Sequence, residues 1–239
     1  MAGHSKWKNI KRQKAVTDAQ KAKVYTKLIK DITVAARANG GDPAHNPHLR
    51  MLLEKARKAN MPSENAVRAI KKGTGELPGV HYEPHQYEGY GPGGIAVIVE
   101  VLTENKNRAI AETRAVFSRK GGSIGETGSV NWMFERKGVV RGSSAGLTED
   151  TLLEALLDCD VSDIEHNDDV WTITCAPHDL ENVKEALTKL KFTIDEAELE
   201  WVAKNSMELT DEAKHEAAVE FLEALEELED VQNVYSNLA

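Results

Sequence analysis

Residues 138–202 read GVVRGSSAGLTEDTLLEALLDCDVSDIEHNDDVWTITCAPHDLENVKEALTKLKFTIDEAELEWV. Short β-branched runs alternate here with amphipathic stretches. A strand around Gly138 to Arg141 precedes a helix from Thr148 to Leu157. Strands at Val161 to Glu165 and Val170 to Cys175 follow, joined by Asn167-Asp168-Asp169. A helix from Asp179 to Leu190 and a strand from Phe192 to Val202 complete the segment. The order βαββαβ is the ferredoxin-like pattern.

On the N-terminal side the texture is also mixed. His85 to Tyr90 and Ile95 to Leu102 are strand-like runs joined by Gly91-Pro92-Gly93-Gly94, a hairpin signal. Asn107 to Lys120 reads as a helix with Ile110, Val116 and Phe117 inward, stopped by Gly121-Gly122. A strand is expected from Val130 to Phe134. On the C-terminal side Thr210 is the expected cap of a last helix, whose Ala218, Phe221, Leu222 and Leu225 form an apolar stripe under an acidic outer face. A short strand from Val231 to Tyr235 then returns to the middle sheet. The expected fold class is α+β: an N-terminal three-helix domain followed by two α+β lobes, one of them ferredoxin-like. The expected divisions are a basic helical domain with an arm at 1–78, a middle domain at 79–133 plus 207–239, and an inserted lobe at 134–206.

The helical head is distinguished by charge. Residues 1–80 hold 17 Lys/Arg against 6 Asp/Glu, whereas residues 81–239 hold 13 against 33. A head at +11 on a body at −20 suggests a polyanion-binding module on an acidic support. The first 14 residues have little apolar periodicity and are expected to form an arm that orders on a ligand. A helix from about Asp18 to Ala38 carries Tyr25, Leu28, Ile29, Ile32 and Ala36 on one face. Lys23, Lys27, Lys30 and Arg37 fall on the opposite arc, which this reading turns toward solvent and phosphate. A second helix, capped by Asn46-Pro47, turns Leu49, Leu52, Leu53 and Ala56 inward and Arg50, Arg57 and Lys58 outward. A third opens at Pro62, buries Val67 and Ile70, and ends in Arg68, Lys71 and Lys72. Trp7 between Lys6 and Lys8 has few apolar neighbours, and stacking on a base suits it. The candidate nucleic-acid-binding set is therefore Lys6, Trp7, Lys8, Lys11, Arg12, Lys14, Lys23, Lys27, Lys30, Arg37, Lys71 and Lys72.

Other chemistry is poorly represented. Cys159 and Cys175 lack zinc-site spacing and read as small core residues in a reducing, cytoplasmic setting. His45 with His48, and His81 with Glu83 and His85, lack a third ligand at a recognised spacing, so no metal is expected. Gly89 to Gly94 leads into a strand rather than a helix, which fits a hairpin better than a phosphate loop. The stretch Gly121 to Ser129, rich in hydroxyls and backbone amides, could line a phosphate or a partner. No Ser/His/Asp or Cys/His constellation and no cofactor motif is evident, and no apolar run spans a membrane.

Long strings of this chain resemble the YebC/PmpR family. They include Met1-Ala2-Gly3-His4-Ser5-Lys6-Trp7, Tyr25-Thr26-Lys27-Leu28-Ile29, Asn60-Met61-Pro62 and Arg68 to Gly75. Tyr87 to Gly94, Gly128-Ser129-Val130 and Val231 to Asn237 continue the likeness to the C-terminus. Gln20-Lys21-Ala22-Lys23 departs from it, since relatives often carry a further basic residue and a glycine there. The resemblance implies a cytoplasmic, three-domain, non-enzymatic protein described as a DNA-binding transcriptional regulator. Members are also linked to translation, which makes a ribosome-associated factor on rRNA or tRNA, relieving stalling, the alternative. A nucleic-acid-processing enzyme is the remote one. The expected partner is DNA or ribosomal RNA, with the acidic lobes free to contact another protein; the sequence leaves the oligomeric state open.

Overall fold

The structure, a computed structural model, describes residues 18–144, 146–167 and 169–239. Three helices form the head: α1 (Asp18–Asn39), α2 (Pro47–Lys58) and α3 (Ser63–Gly73). Leu28, Ile32 and Ala35 of α1 close on Leu49, Leu52, Met61, Ala66 and Ala69 in a small apolar core. Asn46 is fully buried and does two jobs. Its Oδ1 accepts the Leu49 amide at 3.0 Å to cap α2, and its Nδ2 donates to the Ala35 and Gly40 carbonyls, both at 2.9 Å, tying α2 to the end of α1. At Gly73 a Cβ would sit 2.4 Å from the Thr33 carbonyl, so a larger residue would force α1 and α3 apart. Val67, expected inward, is 51% exposed; Ala66, Ala69 and Gly73 carry the buried face of α3 instead. One residue on from Ala66, Val67 is turned about 100° away from it and off the stripe that Ala66, Ala69 and Gly73 present to the core.

The first sheet comprises β1 (Glu83–Tyr90), β2 (Ala96–Thr103), β3 (Ser123–Ile124) and β8 (Val231–Ser236) in the order β3-β1-β2-β8. Helices α4 (Lys106–Arg119) and α7 (Glu212–Glu226) belong to this lobe. Val97, Val99 and Val101 of β2 pack in one core with Phe117 of α4 and Phe221 of α7, whose rings meet edge to face at 4.9 Å. The cap of α7 is Asp211, whose Oδ1 accepts the Lys214 amide at 3.2 Å, one residue after the expected Thr210.

The second sheet has β4 (Phe134–Ser143), β5 (Val161–Asn167), β6 (Val170–Cys175) and β7 (Thr193–Ala203) in the order β5-β6-β4-β7, with α5 (Glu149–Ala155) and α6 (Leu180–Lys189). Every pairing is antiparallel, which is the ferredoxin-like arrangement read from residues 138–202. Arg141 and Glu200, each about 1% exposed, form a bidentate pair at 2.7 and 3.0 Å across β4 and β7. The two sheets meet through Ile98, Val130, Phe134 and Tyr235. They are also linked at Glu100 of β2, whose carboxylate accepts from Arg136, Trp201, Asn233 and Tyr235 at 2.9–3.2 Å.

The strand expected at Val130–Phe134 is replaced by a turn of 3₁₀ helix at Asn131–Met133, and β4 begins only at Phe134. The cause is Glu88, 3% exposed on β1. Its carboxylate accepts the backbone N–H of Gly128, Val130 and Asn131 at 2.9, 3.0 and 2.8 Å, bending the chain around it. Within Gly121–Ser129 the amides of Gly122, Gly125, Gly128 and Ser129 donate to Phe117, Glu88 and Glu126 of the same chain, so those four are not free for an external phosphate. Burial alone would push the Glu88 carboxyl up, but the three N–H groups outweigh it and hold it below its ordinary value.

Glu88→Ala leaves those amides without their acceptor and should cost about 3 kcal/mol in denaturant unfolding. Because the folded-state value is depressed, the carboxylate's contribution is present above the ordinary glutamate range and lost as pH falls through the folded value. The stability gap between wild type and Glu88→Gln should thus narrow on acidification from pH 6 toward pH 3.

Candidate nucleic-acid interface

Of the twelve candidate residues, Lys6, Trp7, Lys8, Lys11, Arg12 and Lys14 lie outside the described residues. The other six divide into two groups, and the division differs from the one expected.

Lys23, Lys27 and Lys30 do share a face of α1, but that face is progressively covered from exposed Lys23 through half-buried Lys27 to buried Lys30. It lies on the turn between α7 and β8. Lys30, 4% exposed, donates to Asp230 Oδ1 at 2.6 Å and to the Glu229 carbonyl at 3.1 Å. Asp230, 3% exposed, also accepts from Arg108 at 2.9 Å and Thr103 at 2.7 Å. Burial would raise this carboxyl, yet the donors from Arg108, Lys30 and Thr103 keep it below its ordinary value. Lys27 lies 3.4 and 3.5 Å from the Glu226 and Gln232 carbonyls, and Lys23 pairs with Glu227. The expectation that these lysines face solvent is thus corrected for Lys30, which is buried, and for Lys27, which is half-buried; Lys23 stays exposed, although it is paired with Glu227. Helical periodicity correctly put them opposite the head's own core, but a second lobe occupies that side.

The second contact joins α2 to β7. Lys55 pairs with Glu198, and Lys58 donates to the Ile194 carbonyl at 2.7 Å. Asp31 sits between the two contacts, and burial, aided by Glu198 and Glu100 against Lys55 and Lys27, pushes its carboxyl up to about 7. These contacts are unequal in weight. Exposed pairs such as Lys23–Glu227 contribute at most about 1 kcal/mol. Removing one partner of a buried, hydrogen-bonded pair typically costs about 3–5 kcal/mol, so Lys30–Asp230 dominates.

The outward group consists of Arg37, Lys71 and Lys72. Arg37, exposed at the end of α1, donates to the Val80 carbonyl at 3.1 Å. Lys71 and Lys72 occupy the last turn of α3, and Gly73 packs against the Arg37 backbone, so the ends of the two helices bring these cations together. Arg68, three residues before Lys71, extends the group along α3. Arg50 and Arg57, seven residues apart on α2, flank a recess of about 280 Å³ walled by Pro43, Ala44, Leu53 and the carboxylate-bearing Glu54. The side chains of Arg50, Arg57 and Arg68 are exposed and carry no hydrogen bond or ion pair among the described residues.

Elsewhere the chemistry is sparse. Cys175 is buried, and burial pushes its thiol up to about 11, which leaves it unreactive; both cysteines are free. Among the described residues no three His, Cys, Asp or Glu side chains are grouped to hold a metal. No described helix is long and apolar enough to cross a membrane.

This architecture and sequence have relatives along nearly the whole chain. Residues 5–76 match the family described as "TACO1/YebC protein N-terminal domain", and residues 82–238 match "TACO1/YebC second and third domain". The chain belongs to the TACO1/YebC family. It is 47% identical over 239 residues to a "Probable transcriptional regulatory protein" of Chlorobaculum parvum, covering all of this chain and 95% of that one. A protein of the same name from Desulfatibacillum aliphaticivorans is 48% identical over 237 residues, covering 99% and 96%. The crystal structure of a conserved hypothetical protein from Aquifex aeolicus superimposes with a TM-score of 0.85 at 43% identity, over 93% of this chain and 91% of that one. The family likeness seen in the sequence is therefore shown.

Two measurements test the docking scheme. Lys30→Met should destabilise the full chain by about 3 kcal/mol or more in denaturant, whereas Lys23→Gln should change it by less than about 1 kcal/mol. Asp31 is the reverse of Glu88 in sign. Its folded-state value is raised, so its contribution is complete below the ordinary aspartate range and is lost as pH rises toward about 7. Asp31→Asn should become progressively more stable relative to wild type between pH 4 and pH 8.

Proposed function

We propose that this protein is a nucleic-acid-binding regulator, and specifically a DNA-binding transcriptional regulator that grips the sugar–phosphate backbone. In this reading the head (residues 1–78) is the binding module. The middle lobe (79–133 with 207–239) and the inserted lobe (134–206) set its orientation and offer acidic surface to a protein partner. The arm cations Lys6, Lys8, Lys11, Arg12 and Lys14 reach phosphates, and Trp7 stacks on a base. Arg37, Lys71 and Lys72, joined by Arg68, form the fixed part of the surface.

The observation that carries this reading is that the head keeps outward cations after docking has taken its share. Lys23, Lys27, Lys30, Lys55 and Lys58 contact the other lobes, while Arg50, Arg57, Arg68 and Lys71 remain exposed. The names of the curated relatives agree with a regulatory role. An acidic body would repel the polyanion and fix which side of the molecule meets it.

The test is binding of the full chain to duplex DNA as a function of salt. The logarithm of affinity should fall against log salt with a slope of several units, about 0.9 per phosphate engaged. Arg68→Glu with Lys71→Glu should weaken binding at least tenfold at unchanged stability, since both side chains are exposed. A flat slope, or full-strength binding by that variant, would contradict the reading. Tight binding to ribosomes with weak binding to DNA would favour the translation-factor alternative.

A further inference from the structure

We infer that Trp132 and Tyr90 form a second nucleic-acid contact, an aromatic platform on the middle lobe that stacks unpaired bases of a single strand. This inference rests on the nucleic-acid reading above but concerns a different part of the molecule.

Trp132 is 66% exposed, in a protein whose described tryptophans are otherwise half-buried or buried. It is nevertheless held. Its indole N–H donates to the Ser129 carbonyl at 3.1 Å, and the Tyr90 hydroxyl donates to the same oxygen at 3.2 Å. The polar atoms of both rings thus converge on one acceptor, with Tyr90 itself 38% exposed. The loop carrying that acceptor is fixed in turn by the buried Glu88 carboxylate through the flanking amides of Gly128, Val130 and Asn131. A large apolar ring left in water and pinned in one orientation has little entropy to lose when something stacks on it.

Charge selects the occupant. The body is acidic, yet residues 106–120 carry Lys106, Arg108, Arg114, Arg119 and Lys120 against the single carboxylate of Glu112. This basic helix, α4, runs directly into the platform: Gly122 abuts the Tyr90 carbonyl, and Ser123 pairs with Tyr90. Arg108 and Lys120 are engaged by Asp230 and Glu220, while Lys106, Arg114 and Arg119 are exposed and form no ion pair among the described residues. Cations on the helix whose C-terminal end leads into a fixed aromatic surface match a strand of phosphates and bases, since stacking tolerates any sequence and the cations hold the backbone. A duplex keeps its bases stacked on each other and gives the rings nothing to hold.

The test uses the full chain and a labelled 20-nucleotide oligouridylate, with a 20-base-pair duplex as control, read by fluorescence anisotropy. Trp132→Ala should weaken oligouridylate binding about tenfold, and Trp132→Phe should restore most of it, with duplex binding unchanged in both. Arg114→Glu with Arg119→Glu, which leaves the loop untouched, should also weaken the single strand. Oligouridylate binding as tight in Trp132→Ala as in wild type, or equal loss on single strand and duplex, would overturn the platform. If wild type binds neither probe, the nucleic-acid reading itself fails; if it binds but ignores Trp132, only this inference does.

Discussion

The ion pair between Lys30 and Asp230 sets the terms for the rest of the molecule. Both groups are almost fully withdrawn from water, so each needs the other. Asp230 stands at the start of β8, between α7 and the first sheet, and also holds Arg108 of α4. One carboxylate therefore fixes the head to the middle lobe and the last strand to the fourth helix. Lys55–Glu198 and the Lys58 contacts add a second point on β7, so the head touches both lobes.

Docking of this kind divides the head's positive charge by use. Part of it neutralises carboxylates and helix-end carbonyls of the same chain, and the remainder faces outward on α2, α3 and the end of α1. A net charge of +11 counted along residues 1–80 thus overstates what an external polyanion would meet. The outward share is still basic and lies on a molecule that is otherwise strongly acidic. That contrast gives the molecule one side that attracts a polyanion and another that repels it.

Much of the fold was legible in the sequence. The alternating runs of residues 138–202 specified the ferredoxin-like lobe because strand period, helix period and turn chemistry all agreed there. Asn46 and the stripe of Leu28 and Ile32 were equally plain. What periodicity could not say was which covering element lies over a polar face. Lys27 and Lys30 are spaced as solvent-facing cations are, and nothing local marks Asp230, 200 residues beyond Lys30, as a buried partner. Glu88 was hidden for the same reason. A glutamate in a strand beside a glycine-rich hairpin gives no sign that it will gather three amides from a loop some 40 residues away. Val67 misled because its apolar character suggested an inward face, whereas the inward stripe is the one-residue-earlier phase of Ala66, Ala69 and Gly73.

In the proposed arrangement α1 holds the head in place, and the outward cations of α3 and the α1 end are left for the ligand. Hydrogen–deuterium exchange on the full chain, with and without saturating nucleic acid, tests it most directly. Exchange should slow in the arm and around residues 68–73 and stay unchanged over residues 23–30 and 226–232. Altered exchange confined to those last two segments would contradict it, since the ligand would then be acting on the face assigned to docking.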